Sequence, residues 1–176
     1  MESNFIKADA GQCKRGDADG YGIKYYENGE QKYEGQWKDN ERNGYGNTYN
    51  KENQIIYSGE YKDDLYEGLG VRYWDNGNKM YVGQYVKNKW NGIGTMYYIN
   101  GKIKYEGEIK DRKPEGYGTK YHKNGNIKFE GQFKDGKWNG IGFKYQLDGR
   151  ISISLEEKNN FKEIEFCKNT KKILKE

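Results

Sequence analysis

Aromatic, glycine and polar residues recur along this chain with a period of 24 residues. Tyr33, Tyr57, Tyr81 and Tyr105 begin successive units without insertion or deletion, and Phe129 begins the next. Positions one, three and five of these units are an aromatic residue, a glycine and a second large apolar residue, whereas positions two, four and six are mostly Glu, Gln or Lys. This alternation indicates a half-buried strand, and the fixed period indicates a repeat architecture.

A second strand is predicted around a Gly-x-Gly motif later in each unit. The two glycines occupy positions twelve and fourteen, and a tyrosine follows at position seventeen of every unit. The apolar residues at positions thirteen and seventeen are again odd-numbered, so both strands are predicted to present them on one aromatic face. Rings are expected to cover the glycine at position three, while the glycine pair would allow backbone geometry that a Cβ atom obstructs.

The connection between units contains Asn-Gly, for example at residues 27–29 and 123–125. Asn-Gly usually favours a two-residue type I′ turn, but that loop would turn the next aromatic set to the wrong face. A three-residue loop with the glycine as its left-handed, bulge-forming residue keeps the parity. It places position seventeen opposite position twenty-three, so Tyr105, Tyr121 and Ile127 are predicted to share a face.

These patterns predict an all-β fold: an elongated single-layer antiparallel meander of about twelve strands, spanning roughly 58 Å at one hairpin per unit. The first unit is weakened, because Asp9 and Cys13 stand where aromatics are expected. Residues 1–8 would be an N-terminal extension. The six units are 9–32, 33–56, 57–80, 81–104, 105–128 and 129–152.

The repeat register ends after Ser152, and residues 153–176 are predicted to form a degenerate cap with a basic tail. A hairpin from about Ile151 to Cys167 would cover the open sheet edge, which otherwise invites aggregation. A short helix from Thr170 to Lys175 would follow it. The alternative is a single amphipathic helix from Phe161 to Lys175 folded against the sheet.

Composition fits a repeat protein with a thin core, since 33% of the residues are hydrophobic and 16% are aromatic. The 31 basic and 27 acidic residues are well mixed, which is not the clustered pattern of a nucleic-acid-binding protein. No apolar run reaches membrane-spanning length, and no signal or transit peptide is expected at the N-terminus. Cys13 and Cys167 do not suggest a disulfide framework, so an intracellular, cytoplasmic location is expected.

Residues with catalytic or metal-binding chemistry are scarce. His122 is the one histidine, which argues against histidine-based triads and against a metal cluster of His and Cys. The Gly-x-Gly motif is not a phosphate loop, because no Gly-Lys-Ser/Thr follows it. No catalytic residue, metal site or cofactor is therefore predicted, and an enzyme is not expected.

Tyr-Glu-Gly-Gln-Trp-Lys followed by Asn-Gly-Tyr-Gly, between Tyr33 and Gly46, closely resembles the MORN repeat. The resemblance recurs six times over about residues 9–152, with a period of 24 in place of the usual 23 or so. It implies an elongated sheet with an aromatic groove along which a partner helix or extended peptide lies. It also implies a scaffold or adaptor, as in radial spokes of cilia, parasite cytoskeletons and membrane junctions, with phosphoinositide binding proposed for several members.

The aromatic face is the predicted partner-binding surface, because an uncovered aromatic patch usually marks an interaction site. Its predicted groove residues are Trp37, Tyr49, Tyr61, Tyr73, Tyr85, Tyr97, Tyr121, Phe133 and Tyr145. Two further rows are weaker candidates, namely position ten in the long turn at one edge and position eighteen on the polar face. Their members are Tyr66, Trp74, Trp90, Tyr98 and Trp138.

The function predicted from the sequence is a non-enzymatic scaffold that binds a protein segment of a ciliary, axonemal or cytoskeletal assembly. A phosphoinositide-binding membrane adaptor and a regulatory module of an enzyme remain alternatives. The basic tail supplies the candidate contacts to anionic lipid, at Lys168, Lys171, Lys172 and Lys175.

Overall fold

The computed structural model describes residues 6–8, 13–14, 17–157 and 160–166, and every regular element in these residues is a β-strand. The strands are β1 Ile6–Ala8, β2 Cys13–Lys14, β3 Asp17–Ala18, β4 Gly20–Tyr25, β5 Gln31–Lys38, β6 Glu41–Tyr49, β7 Ile55–Lys62, β8 Leu65–Tyr73, β9 Lys79–Val86, β10 Lys89–Tyr97, β11 Ile103–Lys110, β12 Lys113–Tyr121, β13 Ile127–Lys134, β14 Lys137–Tyr145, β15 Ile151–Glu157 and β16 Asn160–Phe166. The predicted all-β fold is confirmed.

Fourteen strands form one antiparallel sheet in which each strand from β4 to β16 lies beside its neighbour in sequence. β1 pairs with the outer edge of β4, and β2 and β3 form a separate two-stranded ribbon. The meander topology is the one predicted: the repeats supply the eleven strands β4–β14, and β1, β15 and β16 at the two ends complete the fourteen.

The connections between units are three-residue loops, as predicted from strand parity. In the loop after Tyr121, His122 N donates to Asn126 O at 2.8 Å and Gly125 N donates to His122 O at 2.9 Å. Gly125 has a φ of 98°, the left-handed conformation that glycine adopts without steric cost. Tyr121 is opposite Ile127, the predicted pairing.

The connection inside each of the second to sixth units is a two-residue turn at positions seven and eight, shorter than the long turn expected there. Both turn residues have positive φ, for example 49° at Asp63 and 63° at Asp64, which is the type I′ geometry. Lys62 and Leu65 close this turn as a pair. Position ten therefore lies within a strand, not in a turn at the sheet edge.

A special β-bulge, with three residues opposite one, follows each of these turns. Tyr61 is opposite Tyr66 and Gly59 is opposite Gly70, so the second strand carries two extra residues between these pairs. Glu60 Oε1 accepts a hydrogen bond from Leu69 N at 2.9 Å and thereby occupies the gap. A Cβ atom on Gly68 would lie 2.5 Å from the Glu60 carboxylate, which explains the glycine at position twelve.

The two-residue turn overturns the prediction that all odd positions share a face, because it pairs position six with position nine and position five with position ten. The two extra residues of the bulge, being an even number, leave this alternation unchanged. Position one is paired with position sixteen, as in Tyr57 with Arg72, and position three with position fourteen. Positions one, three, five, ten, fourteen and sixteen form one face, here called the core face. Positions two, four, thirteen, fifteen and seventeen form the other, here called the second face. Tyr105 and Tyr121 consequently lie on opposite faces.

Both ends of the sheet differ in detail from the sequence prediction. Ile6 pairs with Lys24 and Ala8 pairs with Gly22. Residues 6–8, which the sequence assigned to an N-terminal extension, therefore form the strand that was predicted for residues 9–11. β15 and β16 form the predicted terminal hairpin, with Ile151 opposite Phe166. A helix beginning at Phe161 is therefore wrong, whereas Cys167 and the proposed helix from Thr170 lie outside the described residues.

Candidate partner-binding groove

The core face holds the most deeply buried side chains of the described part of the chain. Tyr33, Tyr57, Tyr81, Tyr105 and Phe129 at position one are at most 1% exposed. Each ring lies across the glycines at positions three and fourteen of its own unit, and the cover of position three is the one predicted. The tyrosine hydroxyls donate to the backbone carbonyl at position four, as Tyr57 does to Glu60 O at 2.9 Å. Edge-to-face contacts such as Tyr57–Tyr61, at 5.2 Å, link these rings to those at position five.

Partly exposed rings at position ten stack over the buried rings and form one wall of a groove. Tyr66 stacks on Tyr57 with 3.8 Å between ring centroids, and Trp90 stacks on Tyr81 at 4.5 Å. Trp138 repeats this arrangement on Phe129 at 4.7 Å. In the second unit Arg42 takes the same place over Tyr33, with a centroid distance of 5.7 Å. Each of these side chains leaves part of its surface open.

Position eighteen forms the opposite wall, beside the Asn-Gly loops. Tyr26 lines a depression on the core face together with Tyr33 and Trp37, and His122 lines another with Lys128 and Lys144. Tyr26 and Tyr98 are fixed in the same way, because their hydroxyls donate to Tyr49 O and Tyr121 O at 2.8 Å. Trp74 takes this position in the third unit, and its buried Nε1 has no hydrogen-bond partner among the described residues.

The groove floor between these walls is formed by positions sixteen and twenty-four. Arg72 and Met80 line a central depression with Tyr66, Tyr85 and Trp90. At the N-terminal end, Arg42 Nε contacts Asp64 Oδ1 at 2.7 Å in a half-exposed ion pair. Burial by itself would raise the pKa of Asp64. The hydrogen bonds from Arg42 outweigh this effect and hold that pKa below its ordinary value. The two charges therefore largely neutralise each other.

The structure divides the predicted groove residues between the two faces. Trp37, Tyr61, Tyr85 and Phe133 lie on the core face, but they are only 2–5% exposed and serve as the core rather than as contact surface. The prediction that the tyrosines at position seventeen belong to the groove is wrong, because they lie on the second face. These are Tyr49, Tyr73, Tyr97, Tyr121 and Tyr145.

The two rows predicted as weaker candidates are the residues that wall the groove. Position ten is not an edge ladder, because its rings stack onto the core, and position eighteen is not on the polar face. The residues concerned are Tyr66, Trp90 and Trp138 on one side and Trp74 and Tyr98 on the other. The signal that could have located them is the two-residue turn at positions seven and eight, which pairs odd positions with even ones and is marked in the sixth unit by Asp135-Gly136.

The second face combines carboxylates with exposed apolar side chains. Tyr49 and Tyr145 donate to Glu34 and Glu130 at 3.1 and 3.2 Å, and Tyr121 donates to Glu106. Burial and the Glu106 hydrogen bond raise the pKa of Tyr121 to about 12. Position thirteen, which was predicted on the aromatic face, is an exposed row here, with members 46–63% exposed. They are Tyr21, Tyr45, Leu69, Ile93, Tyr117 and Ile141.

Among the described residues no cluster of three or more His, Cys, Asp or Glu side chains could hold a metal ion. Within the same residues there is no helix with the length and apolarity needed to span a membrane.

Comparison with known families identifies the repeat. The family described as MORN repeat matches residues 10–31, 33–48, 57–79, 81–103, 105–127 and 129–146, which is more than half of the chain. The chain belongs to the MORN repeat family, as the sequence predicted. MORN repeats are non-catalytic modules that act as scaffolds in interactions with proteins and membranes. No curated protein matches the chain.

Proposed function

We propose that this protein is a non-enzymatic scaffold or adaptor that holds a helix or extended peptide of a partner protein along the core-face groove. The observation that carries the proposal is the pair of aromatic walls. Tyr66, Trp90 and Trp138 pack on the core yet remain partly exposed, and position eighteen faces them across the floor. A single-layer sheet has no second layer to cover this surface.

The mechanism is passive binding by a rigid surface. Each wall ring is fixed by stacking on a buried ring, so a partner immobilises few additional side chains when it binds. Desolvation of partly exposed Tyr and Trp rings then supplies much of the binding free energy, as at other aromatic hot spots. No step in this mechanism requires a cofactor or a reacting group.

We further propose an intracellular, cytoplasmic setting and a ciliary, axonemal or cytoskeletal assembly as its context. This context rests on the family resemblance alone, since the MORN repeats themselves indicate only a scaffold module.

A pull-down from the native source tests the groove with two matched variants. The groove variant is Tyr66→Arg/Trp90→Arg, which introduces the residue that the chain itself carries at position ten of the second unit, Arg42. The control is Tyr73→Ala/Tyr97→Ala on the second face. We expect the groove variant to lose the partner by at least about tenfold and the control to retain it.

Circular dichroism and thermal unfolding of both variants establish that the sheet survives. Retention of the partner by a folded groove variant would contradict the proposal. Loss of the partner by the folded control alone would show that the partner binds the second face.

The second candidate is a phosphoinositide-binding membrane adaptor, favoured by basic residues in the groove and by the tail lysines, which lie outside the described residues. Sedimentation with vesicles of phosphatidylcholine containing phosphatidylinositol bisphosphate separates it from the scaffold. Salt-sensitive binding of the isolated protein supports the membrane adaptor. If the protein is a regulatory module of an enzyme, the pull-down should recover that enzyme, and the groove variant should change the enzyme's activity.

A further inference from the structure

The central depression of the groove is lined by two arginines and by no carboxylate of the described residues. It has a volume of about 370 Å³, and the wall rings of Tyr66 and Trp90 bound it. The depressions nearer the two ends of the groove differ, because Asp64 lines one and Asp148 lines the other. In the middle of the groove, basic side chains therefore lack the acidic counterpart that both ends have.

Arg72 lies on the floor of the central depression as a half-buried guanidinium. It is paired with Tyr57 and Tyr81 on the two neighbouring strands, which places it on the core face. Its Nη1 donates to the Tyr66 hydroxyl at 3.4 Å, which is long for a hydrogen bond, and it forms no ion pair within the part of the chain that the structure describes. A charge that is partly removed from water without an anion is left uncompensated.

Two carboxylates close to this region in sequence are engaged elsewhere. Glu67, which follows Tyr66, accepts a hydrogen bond from Lys87 N at 2.8 Å. Asp111, which precedes Arg112, is paired with Lys89 Nζ at 2.7 Å. Neither of them lines the depression.

Tyr85 gives a second and independent sign that an acceptor is missing. The residue is 2% exposed, and its hydroxyl has no hydrogen-bond partner within the described residues. Burial raises the pKa of Tyr85, whereas the nearby Trp90 indole and the charge of Arg72 act to lower it. Both neighbours are hydrogen-bond donors, so neither accepts the hydroxyl proton. In the preceding unit the equivalent hydroxyl, that of Tyr61, is satisfied by Thr48 Oγ1 at the position that Arg72 occupies here.

The preceding unit also shows how the chain itself can supply an anion to the groove. Arg42 Nε contacts Asp64 Oδ1 at 2.7 Å, and the same oxygen accepts from Arg42 N at 3.0 Å. One unit later Asn88 stands in the place of Asp64, and its Oδ1 accepts from Tyr66 N at 2.7 Å. The backbone contact is kept and the charge is lost, while Arg112 adds a second guanidinium, bonded to Asn88 O at 3.0 Å.

We propose that the central depression binds one carboxylate of the partner protein, an Asp or Glu side chain whose apolar neighbours in the partner contact Tyr66 and Trp90. This inference deepens the proposed scaffold function and rests on it. The planar guanidinium of Arg72 can hold a carboxylate through two parallel hydrogen bonds. The flanking rings exclude water from this ion pair, which strengthens it.

Charge favours a carboxylate over a phosphate group in this depression. A phosphorylated side chain carries a charge of about −1.5 to −2 and is usually bound by a cluster of arginines. Here Arg72 is on the floor, whereas Arg112 is exposed and already donates to Asn88 O. A single half-buried guanidinium matches the single charge of a carboxylate.

Two blocked pentapeptides are the probes, Ala-Leu-Glu-Leu-Ala and its glutamine counterpart Ala-Leu-Gln-Leu-Ala, in NMR titrations of the whole protein. We expect the glutamate peptide to shift the Arg72 Nε–H and Trp90 indole N–H resonances. It should bind at least about tenfold more tightly than the glutamine peptide, because the two differ only in the charge that meets Arg72.

Arg72→Thr is the first variant, since it introduces the residue that the chain carries at the equivalent position, Thr48. The preference for the glutamate peptide should fall to less than about twofold. The urea midpoint should be no lower than that of the unmodified protein, because a threonine can satisfy the Tyr85 hydroxyl as Thr48 satisfies Tyr61. Lys62→Gln, which removes one charge from an exposed position of β7, is the matched control and should keep the preference.

Asn88→Asp is the second variant and tests the site without removing Arg72. It restores the carboxylate that Asp64 provides one unit earlier. That carboxylate should compete for Arg72 and repel the peptide, so binding of the glutamate peptide should weaken by at least about threefold.

No shift with the glutamate peptide, or equal binding of the two peptides, would overturn the inference. A glutamate preference retained by folded Arg72→Thr would do so as well. Inorganic phosphate forms a separate arm, and shifts at Arg72 with phosphate but not with the glutamate peptide would reject a carboxylate ligand. In the pull-down, partner loss on Tyr66→Arg/Trp90→Arg with full retention by Arg72→Thr would keep the scaffold function and reject this inference alone.

Discussion

The tyrosine at position one connects the sequence motif to the packing of the sheet. Its ring lies over the glycines at positions three and fourteen, and its hydroxyl donates to the carbonyl at position four. A Cβ atom at either glycine would enter the space of the ring or of the opposing backbone. The glycines are therefore required by close approach at this site, and the aromatic residue replaces the contacts that their side chains do not make.

Gly70→Ala tests this close approach. Its Cβ atom would lie 2.7 Å from ring carbons of Tyr57, so we expect the free energy of unfolding in urea to fall by about 1–3 kcal/mol through overpacking. In a Tyr57→Ala background the same substitution should cost at least about 1 kcal/mol less, since the ring is gone.

Gly77→Ala is the control for the glycine substitution. Gly77 has a φ of 81° and no atom within 4 Å of a Cβ, so only conformational strain of about 1 kcal/mol is expected. That cost should be unchanged by Tyr57→Ala. Additive effects of Gly70→Ala and Tyr57→Ala would contradict the proposed packing.

Buried tyrosines should make the fold sensitive to alkali. Burial raises the pKa of Tyr81 to about 12, above its ordinary value of 10.0, and also raises the pKa values of Tyr33, Tyr57 and Tyr105. As the pH rises, these tyrosine hydroxyls therefore lose their protons at a lower pH in the unfolded chain than in the folded one. The stabilisation is fully present below about pH 10 and is lost as the pH rises towards 12 and beyond.

Urea unfolding between about pH 8 and pH 12 measures this effect. In Tyr81→Phe the decline above pH 10 should be shallower, because one titrating group has been removed. Phe129 shows that the repeat accepts phenylalanine at this position, so the variant is expected to fold. A free energy of unfolding that stays constant up to pH 12 would contradict the prediction.

At the scale of the hairpin, the sequence specified one turn of each unit and not the other. Asn-Gly and strand parity were sufficient to predict the loop before Ile127, with Gly125 left-handed. The turns inside the second, third and fifth units read Asp39-Asn40, Asp63-Asp64 and Asp111-Arg112, without the glycine that Asp135-Gly136 carries in the sixth.

The special bulge also had no recognisable signal in the sequence. It depends on Glu60 or its equivalent bonding to the backbone N–H at position thirteen, a contact between strands that spacing alone does not reveal. The family, the strands and the meander could therefore be predicted. The assignment of Tyr73 and Tyr97 to the groove could not succeed, because the two-residue turn inside the unit pairs odd positions with even ones and so reverses the parity on which it relied.

Arg112→Gly is expected to stabilise the protein. Arg112 has a φ of 68° at the turn position where Gly136, in the next unit, has 80°. Removing the left-handed strain of a residue with a side chain should raise the free energy of unfolding by up to about 1 kcal/mol. The exposed hydrogen bond from Arg112 to Asn88 O, which is lost, offsets part of this gain.

Gly136→Arg is the reciprocal control for the turn and should be destabilising by a similar amount. Both variants are measured by urea unfolding. If Arg112→Gly were destabilising, the hydrogen bond to Asn88 would outweigh the turn conformation.

At the scale of the whole molecule, the sheet has two faces with different roles. Buried rings on the core face stabilise the array and support the groove walls, whereas the second face carries the carboxylates and an exposed apolar row. The groove floor cannot be recognised in the linear sequence. Its members come together only because positions sixteen and twenty-four share the groove floor on adjacent strands.

Each strand of this sheet pairs with its neighbours in sequence, so whole units should be removable. Deletion of residues 81–104 joins Met80 to Tyr105 and brings Gly70 opposite Gly107, in place of its present partner Gly83. The faces are preserved, and we expect a folded all-β protein by circular dichroism. Its urea m-value should fall by roughly one sixth, because one of six units no longer unfolds.

Deletion of residues 81–103 provides the comparison, because it leaves Lys104 as one extra residue between Met80 and Tyr105. The insertion either reverses the faces of the strands that follow or forces a new bulge, so the free energy of unfolding should fall by at least about 1 kcal/mol further than after the 24-residue deletion. Equal stability of the two variants would contradict the prediction, because it would show that one extra residue in the strand register costs no stability. Since both variants lack Trp90 and Met96, any difference between them reports on register alone.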